Sequence, residues 1–174
     1  MDLLVDLKDK NLITDEVIGL VTSRVEKGHE PLESALLAEG VPPGIVRSGF
    51  AEFFGVPVYL LSEGEQIEQQ VLSYIQEDSA RHYKVVPLKL EDGVLLVGVN
   101  DPEDLRVREM LNFISNKFGM PYKLVFMLEG DLKAAQKAYE NLTGEVGDAL
   151  TSLESDVQDA VDPEEAQSQK QQTY

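Results

Sequence analysis

Cysteine and tryptophan are both absent from this 174-residue chain. Without cysteine there is no disulfide, no thiolate zinc site and no cysteine nucleophile. Such a composition suits a reducing compartment. Histidine is nearly absent too, with two in the chain. His29 lies in Gly28-His29-Glu30-Pro31 and His82 in Arg81-His82-Tyr83. They share no ligand spacing such as H-x-x-x-H, so each reads as an incidental polar residue rather than a metal ligand or a base.

Positive charge is the next shortage. Fifteen Lys and Arg face 32 Asp and Glu, a formal net charge of −17. A field of that sign repels phosphate backbones and anionic membrane surfaces, so no nucleic-acid partner is expected. No window approaches the roughly 20 apolar residues that cross a bilayer. Met1-Asp2-Leu3-Leu4-Val5-Asp6 lacks the basic start and long apolar run of a signal peptide. The expectation is a cytoplasmic chain with no direct membrane insertion.

Catalytic signatures are missing as well. There is no G-x-x-x-x-G-K-[ST] loop to cradle phosphates, no G-x-G-x-x-G and no G-x-S-x-G elbow. Gly93 and Gly98 stand five apart with strand-like residues between them. The acid pairs Glu91-Asp92 and Glu103-Asp104 fit a turn and a helix start. The sequence therefore predicts no catalytic residue, no metal site and no cofactor: not an enzyme.

What is present is a well-punctuated architecture, with 43% hydrophobic residues to build a core. Its clearest stretch is Lys84 to Leu128. Two β-rich runs meet across Asp92-Gly93, a dipeptide that supplies the positive φ angles of a tight hairpin. The first run alternates, with Val86, Leu88 and Leu90 on one side and Lys89 on the other. The second, Val94 to Val99, is apolar throughout, as in a central strand covered on both faces. Asn100-Asp101-Pro102 then starts a helix, with Asp101 as its cap and Pro102 in its first turn. That helix carries Val107, Met110, Leu111, Ile114 and Phe118, and Gly119 stops it. A third strand runs from Tyr122 to Leu128. A last helix, 131–142, turns Leu132, Ala135, Tyr139 and Leu142 inward. A helix over about 64–81, marked by Ile67, Val71, Tyr74 and Ile75, precedes the hairpin. The unit is α-β-β-α-β-α.

The chain before it reads as short helices. The first spans 2–10 with Leu3, Leu4 and Leu7 on one face. Thr14 caps the second, whose stripe is Val17, Val21 and Val25, widened by Ile18 and Leu20. Gly28 closes it. Pro31 opens a third with Leu32, Ala35 and Leu36 inward and Gly40 as its stop. Pro42-Pro43-Gly44 leads into a fourth that carries Ile45, Val46, Phe50, Phe53 and Phe54 and ends at Gly55. The aromatic cluster closes the bundle. Val56 to Leu61 is an extended link.

The expected fold class is α+β, in three parts. Residues 1–62 form a helical bundle, 63–144 a sheet-and-helix unit, and 145–174 an acidic tail. Their acids and bases number 10 and 5, 14 and 9, and 8 and 1. Residues 162–174 hold almost no apolar side chain and are expected to be disordered. Val146, Leu150, Leu153, Val157 and Ala160 form an amphipathic seam. It is read as a nascent helix in a solvated tail, with folding against a partner or against the domain itself as the alternative.

Several phrases in this order carry a resemblance. They are Leu37-Ala38-Glu39-Gly40-Val41, Phe53-Phe54-Gly55-Val56-Pro57-Val58, Ala80-Arg81-His82-Tyr83, Val86-Pro87-Leu88, Asp92-Gly93 and Asn100-Asp101-Pro102. Over about residues 3–142 the chain resembles the N-terminal domain of type II secretion ATPases and type IV pilus extension ATPases. That resemblance implies a non-catalytic docking or regulatory domain. Its implied partner is the cytoplasmic part of an inner-membrane assembly protein, or the motor ATPase, with recruitment to the inner membrane through that partner. It leaves open whether the chain is an excised domain or a stand-alone protein.

Some family members bind cyclic di-GMP through a pattern like R-L-G-x-x-L-[VI]-x-x-G, usually present twice. The best match here is Pro31-Leu32-Glu33-Ser34-Ala35-Leu36-Leu37-Ala38-Glu39-Gly40. Leu32, Leu36 and Gly40 match the pattern; Pro31 stands for its Arg and Glu33 for its first Gly. The region from Leu3 to Asn11 keeps leucines but neither Arg nor Gly. Losing Arg removes stacking and charge-assisted bonds to a dinucleotide, and Glu adds charge of the wrong sign. The leucines are then bundle core. Docking is preferred, and a cyclic di-GMP receptor is the alternative.

Overall fold

The structure, a computed structural model, describes residues 2–141. The expectations for Leu142 and for residues 145–174 lie outside the described residues. Residues up to Lys137 form one compact unit. Ala138–Asn141 fall in a second, where Tyr139 is buried.

Four helices come first: α1 (Leu3–Asp9), α2 (Asp15–Gly28), α3 (Leu32–Ala38) and α4 (Pro43–Phe54). Helices this short survive only if their ends are satisfied and one face is buried. Asp2 Oδ1 accepts from the Leu4 amide at 3.1 Å, and Thr14 Oγ1 from the Val17 amide at 3.3 Å. All four helices are followed by a residue with positive φ: Asn11, His29, Gly40 and Gly55. At α3 the Val41 amide reaches the Leu36 carbonyl and the Gly40 amide the Leu37 carbonyl, each at 3.1 Å. This paired closure needs a left-handed residue, and Gly40 adopts it at φ +85° without Cβ strain. The expected stop at Gly28 moves by one residue. Gly28 ends α2 inside the helix, and His29 takes the left-handed position while its amide bonds the Arg24 carbonyl.

Leu3, Leu7, Val21, Leu36 and Val46 form the bundle core, and Phe126 and Leu128 from the far end of the chain complete it. Leu20 does not widen the α2 stripe as expected. It lies about 100° around the helix from Val21 and is 47% exposed.

The expected long helix over 64–81 is two short ones, α5 (Gln69–Leu72) and α6 (Glu77–Tyr83). The Ser73 hydroxyl donates to the Gln70 carbonyl, which a continuing helix would offer to the Tyr74 amide. The Tyr74 and Ile75 amides bond instead to Val71 and Leu72, three residues back. The break lets Val71, Leu72, Ile75 and Ala80 all reach the interior.

The sheet has the order β1 (Val85–Glu91), β2 (Val94–Val99), β3 (Tyr122–Phe126). Asp92 and Gly93 both have positive φ, as the tight hairpin requires. β2 is central, antiparallel to β1 and parallel to β3, and α7 (Leu105–Phe118) makes the crossover. The alternation expected in β1 fails at its middle. Pro87 pairs with Val97 but Lys89 with Leu96, so Leu88 is an extra residue. That bulge shifts the phase, buries Val85 to Leu88 together and turns Leu90 outward at 42% exposure. Proline here has no amide to give the ladder, and it lies on an edge strand.

Two helix starts also differ from expectation. α7 begins at Leu105 and is capped by Asp104, whose Oδ1 accepts from the Arg106 amide at 2.9 Å. Asp101 instead accepts from the Glu103 amide, which makes a turn of Asp101-Pro102-Glu103. β3 ends at Phe126 rather than Leu128, because α8 (Glu129–Gln136) begins two residues earlier than expected. Buried Gln136 in α8 donates to the Ala80 and Val85 carbonyls at 2.9 and 3.0 Å.

The link after Gly55 is extended, as expected, and joins the sheet. Val58 bridges Phe126 in parallel. A turn follows, with Gly64 at φ +80° and the Glu65 amide on the Ser62 carbonyl. Glu65 accepts from the Tyr59 hydroxyl at 2.6 Å and the Ser62 amide at 2.9 Å. These bonds, Tyr59 first, hold the Glu65 carboxyl below its ordinary range. Burial, then the Glu65 bond, pushes Tyr59 up from 10.0 to about 12.

Gly98 is fixed by packing: a Cβ there would sit 2.3 Å from Met127 Sδ and 3.2 Å from Val86 Cγ1. Gly98→Ala is therefore expected to cost about 1–3 kcal/mol in urea unfolding. Met127→Ala added to it removes the clash, so the double variant should lose less than the two single losses together.

Among the six tyrosines, an absorbance titration should find Tyr59 ionising at about 12. Its folded value is raised, so its contribution to stability is complete below 10.0 and lost as pH climbs toward about 12. Glu65 has the opposite sign: its contribution is present above the ordinary carboxylate value and lost as pH falls through its lowered one. Glu65→Gln should bring the Tyr59 titration down toward 10.0.

Candidate functional site

The nucleotide-motif positions all fall on α3 and its closure. Leu36 is fully buried, Leu32 packs against the same core, and Gly40 is the left-handed stop. Each is accounted for by the bundle. α1 repeats the layout, with Leu3, Leu7 and Asn11 where α3 has Leu32, Leu36 and Gly40. Asn11 at φ 58° closes α1 by the same paired bonds, from the Leu12 amide to Leu7 and from the Asn11 amide to Lys8.

Glu33, where the motif has glycine, points to a different place. β2 and β3 run parallel, and beyond their carboxyl ends lie Asn100 and the first turn of α8. This is where parallel sheets receive ligands, and a helix amino terminus there favours an anion. Glu33 supplies that anion from within the chain. Its Oε1 accepts from the Glu129 amide at 2.6 Å, and its Oε2 accepts from Asn100 Nδ2 at 2.8 Å. Asn100 Nδ2 also donates to the Met127 carbonyl at 3.2 Å. The α8 end has no cap of its own, since Leu128 occupies the position.

A second polar link lies two residues further along, in the same first turn of α8. Arg47 of α4 pairs with Asp131, Nε to Oδ2 at 2.8 Å. Between the links the aromatic cluster closes the seam. Phe50 stacks on Phe126 at 5.6 Å and Phe54 lies 6.0 Å from it. Phe53 meets Phe54 edge-on but stays 44% exposed. The cluster therefore joins the bundle to β3 as well as closing it.

The cations nearby are already engaged. Arg24 pairs with Glu39, inside the motif, and with Glu30 at 3.2 Å. Glu39 first, then Glu30, raises its pKa further. Burial works against the charge of Glu129, but Lys84 and Lys133 outweigh it and hold that carboxyl below its ordinary range. Pro31 offers no charge at all.

The remaining polar candidates have structural places. His29 ends α2, and His82 lies edge-on to Tyr83 at 4.9 Å. Asp92 makes the hairpin turn and Asp104 caps α7. Among the described residues no group of three or more His, Asp or Glu could hold a metal ion, and no helix is long and apolar enough to cross a membrane. Sequence reasoning missed the Glu33–Asn100–Glu129 and Arg47–Asp131 contacts. Their partners are 67 to 96 residues apart, and periodicity carries no signal over that distance.

Glu33→Ala should destabilise the domain by about 1–3 kcal/mol, the cost of leaving the Glu129 amide unmet. Hydrogen exchange in the first turn of α8 should rise with it. Glu33→Gln, which keeps an acceptor oxygen, should recover part of the loss.

Known proteins share this fold. The model of the MshEN domain matches residues 54–146, more than half of the chain. MshE, in a structure described as MshE with cdg, is 17% identical with a TM-score of 0.65, over 80% of this chain and 99% of that one. The N-terminal domain of XpsE is 20% identical with a TM-score of 0.51, over 78% and 92%. At these identities the likeness is one of fold. No curated protein sequence matches. The chain belongs to the MshEN family, the N-terminal domains of type II secretion and type IV pilus ATPases.

Proposed function

We propose that this chain is a non-catalytic docking and regulatory domain of a secretion or pilus machine. It acts on the cytoplasmic side, bound to the cytoplasmic part of an inner-membrane assembly protein or to the motor ATPase. The observation that carries this is the engagement of Glu33. Its carboxylate fills the anion-favouring end of α8, at the carboxyl ends of β2 and β3. A phosphodiester brought there would meet a fixed negative charge, with Pro31 in place of the motif's arginine and Arg24 bound to two carboxylates. A chain of net charge −17 suits a partner with a basic face. The division into a bundle over 1–62, a sheet unit over 63–144 and an acidic tail over 145–174 belongs to this proposal. Its contact surface is the helical bundle or an exposed sheet edge.

The second reading is a cyclic di-GMP receptor. It is favoured by Leu32, Leu36 and Gly40, which keep the spacing of the motif, and by the structure of MshE with cdg. Calorimetric titration of the native chain with cyclic di-GMP separates the two. The expected result is no saturable heat. Pull-down from a native bacterial lysate should recover a platform protein or motor ATPase equally with and without the dinucleotide. Saturable heat, or recovery that depends on the dinucleotide, would establish the receptor instead.

A further inference from the structure

The sheet has two edges, and they are built differently. The outer edge of β1 carries Pro87, a bulge at Leu88, and exposed Lys89 and Glu91. Each of these discourages the addition of another strand. The opposite edge is the link at residues 57–60, and it has no charge and no bulge.

Val58 meets β3 through one parallel bridge. The Phe126 amide donates to the Pro57 carbonyl at 2.7 Å, and the Tyr59 amide donates to the Phe126 carbonyl at 3.1 Å. In such a bridge the bonds run to the residues on either side of the bridging one. The amide and carbonyl of Val58 itself therefore point away from the sheet. Neither these groups nor the Leu60 amide has a backbone partner among the described residues. The side chains at these alternate positions face solvent, Val58 at 40% exposure and Leu60 at 55%. Tyr59, between them, is turned to Glu65 and Lys89.

We propose that the edge at 57–60 receives an extended segment of a protein partner as a further strand, and that this segment alternates apolar with basic residues. The unpaired amide and carbonyl of Val58 specify an extended backbone. Val58 and Leu60 specify apolar side chains at every second position. Glu63, Glu65 and Glu68 follow at once, and they specify the charge. They also select against a second copy of this chain, which would bring the same acids onto themselves. The inference rests on the docking reading above and gives it a surface.

The test is an amide-resolved NMR titration of the whole 174-residue chain. The probe is a capped peptide of four Lys-Val repeats, with Lys-Ser and Glu-Val repeats as controls. The expected result is saturable shifts that are largest at Val58 and Leu60, with their amide exchange slowed about tenfold. Neither control should do this. Leu60→Pro removes an amide with no backbone partner among the described residues, so it should leave Tm unchanged while weakening the Lys-Val peptide about tenfold.

Shifts centred on β1 or on α1–α4, equal binding of the Lys-Ser peptide, or full binding by Leu60→Pro would overturn the proposal. Concentration-dependent shifts at Val58 and Leu60 without peptide would assign the edge to a second copy and overturn it too. A platform protein or motor ATPase recovered as well by Leu60→Pro as by the native chain would remove this edge and leave the docking reading standing. Failure of the native chain to recover either would remove the docking reading, while the peptide titration still reports on the edge.

Discussion

Phe126 has to be satisfied in two directions at once, and much of the domain follows from that. Its backbone belongs to β3, paired with Val99 on one side and bridged to Val58 on the other. Its ring is fully buried in the bundle core, against Phe50 and Phe54. Burying such a ring contributes about 1.5–3 kcal/mol, and favourable ring pairs add about 0.5–1.5 kcal/mol. A bundle of short helices cannot stand alone on local propensity. It stands here because α4 lays its phenylalanines on the end of a strand. The link at 56–60 is fixed by the same residue, since two of its backbone bonds end on Phe126.

The polar contacts then set the angle of this packing. An aromatic seam is tolerant of sliding, whereas hydrogen bonds have a direction. Glu33 and Arg47, from α3 and α4, both reach the first turn of α8, at Glu129 and Asp131. Gln136, two turns on, holds the other end of that helix against α6 and β1. α8 is thus held by three polar side chains far apart in sequence. Each meets a backbone group or a charge on a distant element. The gain from such a bond is modest, but leaving its partner buried and unpaired costs more, so the contacts act mainly as constraints on geometry.

Those long-range contacts mark where the sequence stops being legible. The α+β class, the four bundle helices, the Asp92-Gly93 hairpin and the central place of β2 can all be read from local chemistry, because caps, turns and periodicity act within a few residues. Failures occur where a second local option competes. Ser73 takes a carbonyl that the long helix needed. Asp104 competes with Asp101 for the same cap and wins, because Asp101 is used in a turn. Pro87 and the bulge break a two-residue alternation that looked complete. The motif leucines were legible as core because their spacing of four is helical spacing. Glu33 was legible only as a departure from a pattern. Its partners, 67 and 96 residues away, are set by topology.

This one departure from the motif puts a carboxylate at the amino end of α8. A glycine at position 33 would take the carboxylate away from the Glu129 amide at the amino end of α8 and leave Asn100 Nδ2 with the Met127 carbonyl. Two donors in that setting attract an anion. With glutamate the anion is covalently part of the chain, so its effective concentration at the site exceeds that of a free ligand. Both donors are occupied by Glu33, which links α3 to the end of the sheet and to α8. Among the described residues, the strand edge without a bulge or a charge is the segment held in place by Phe126.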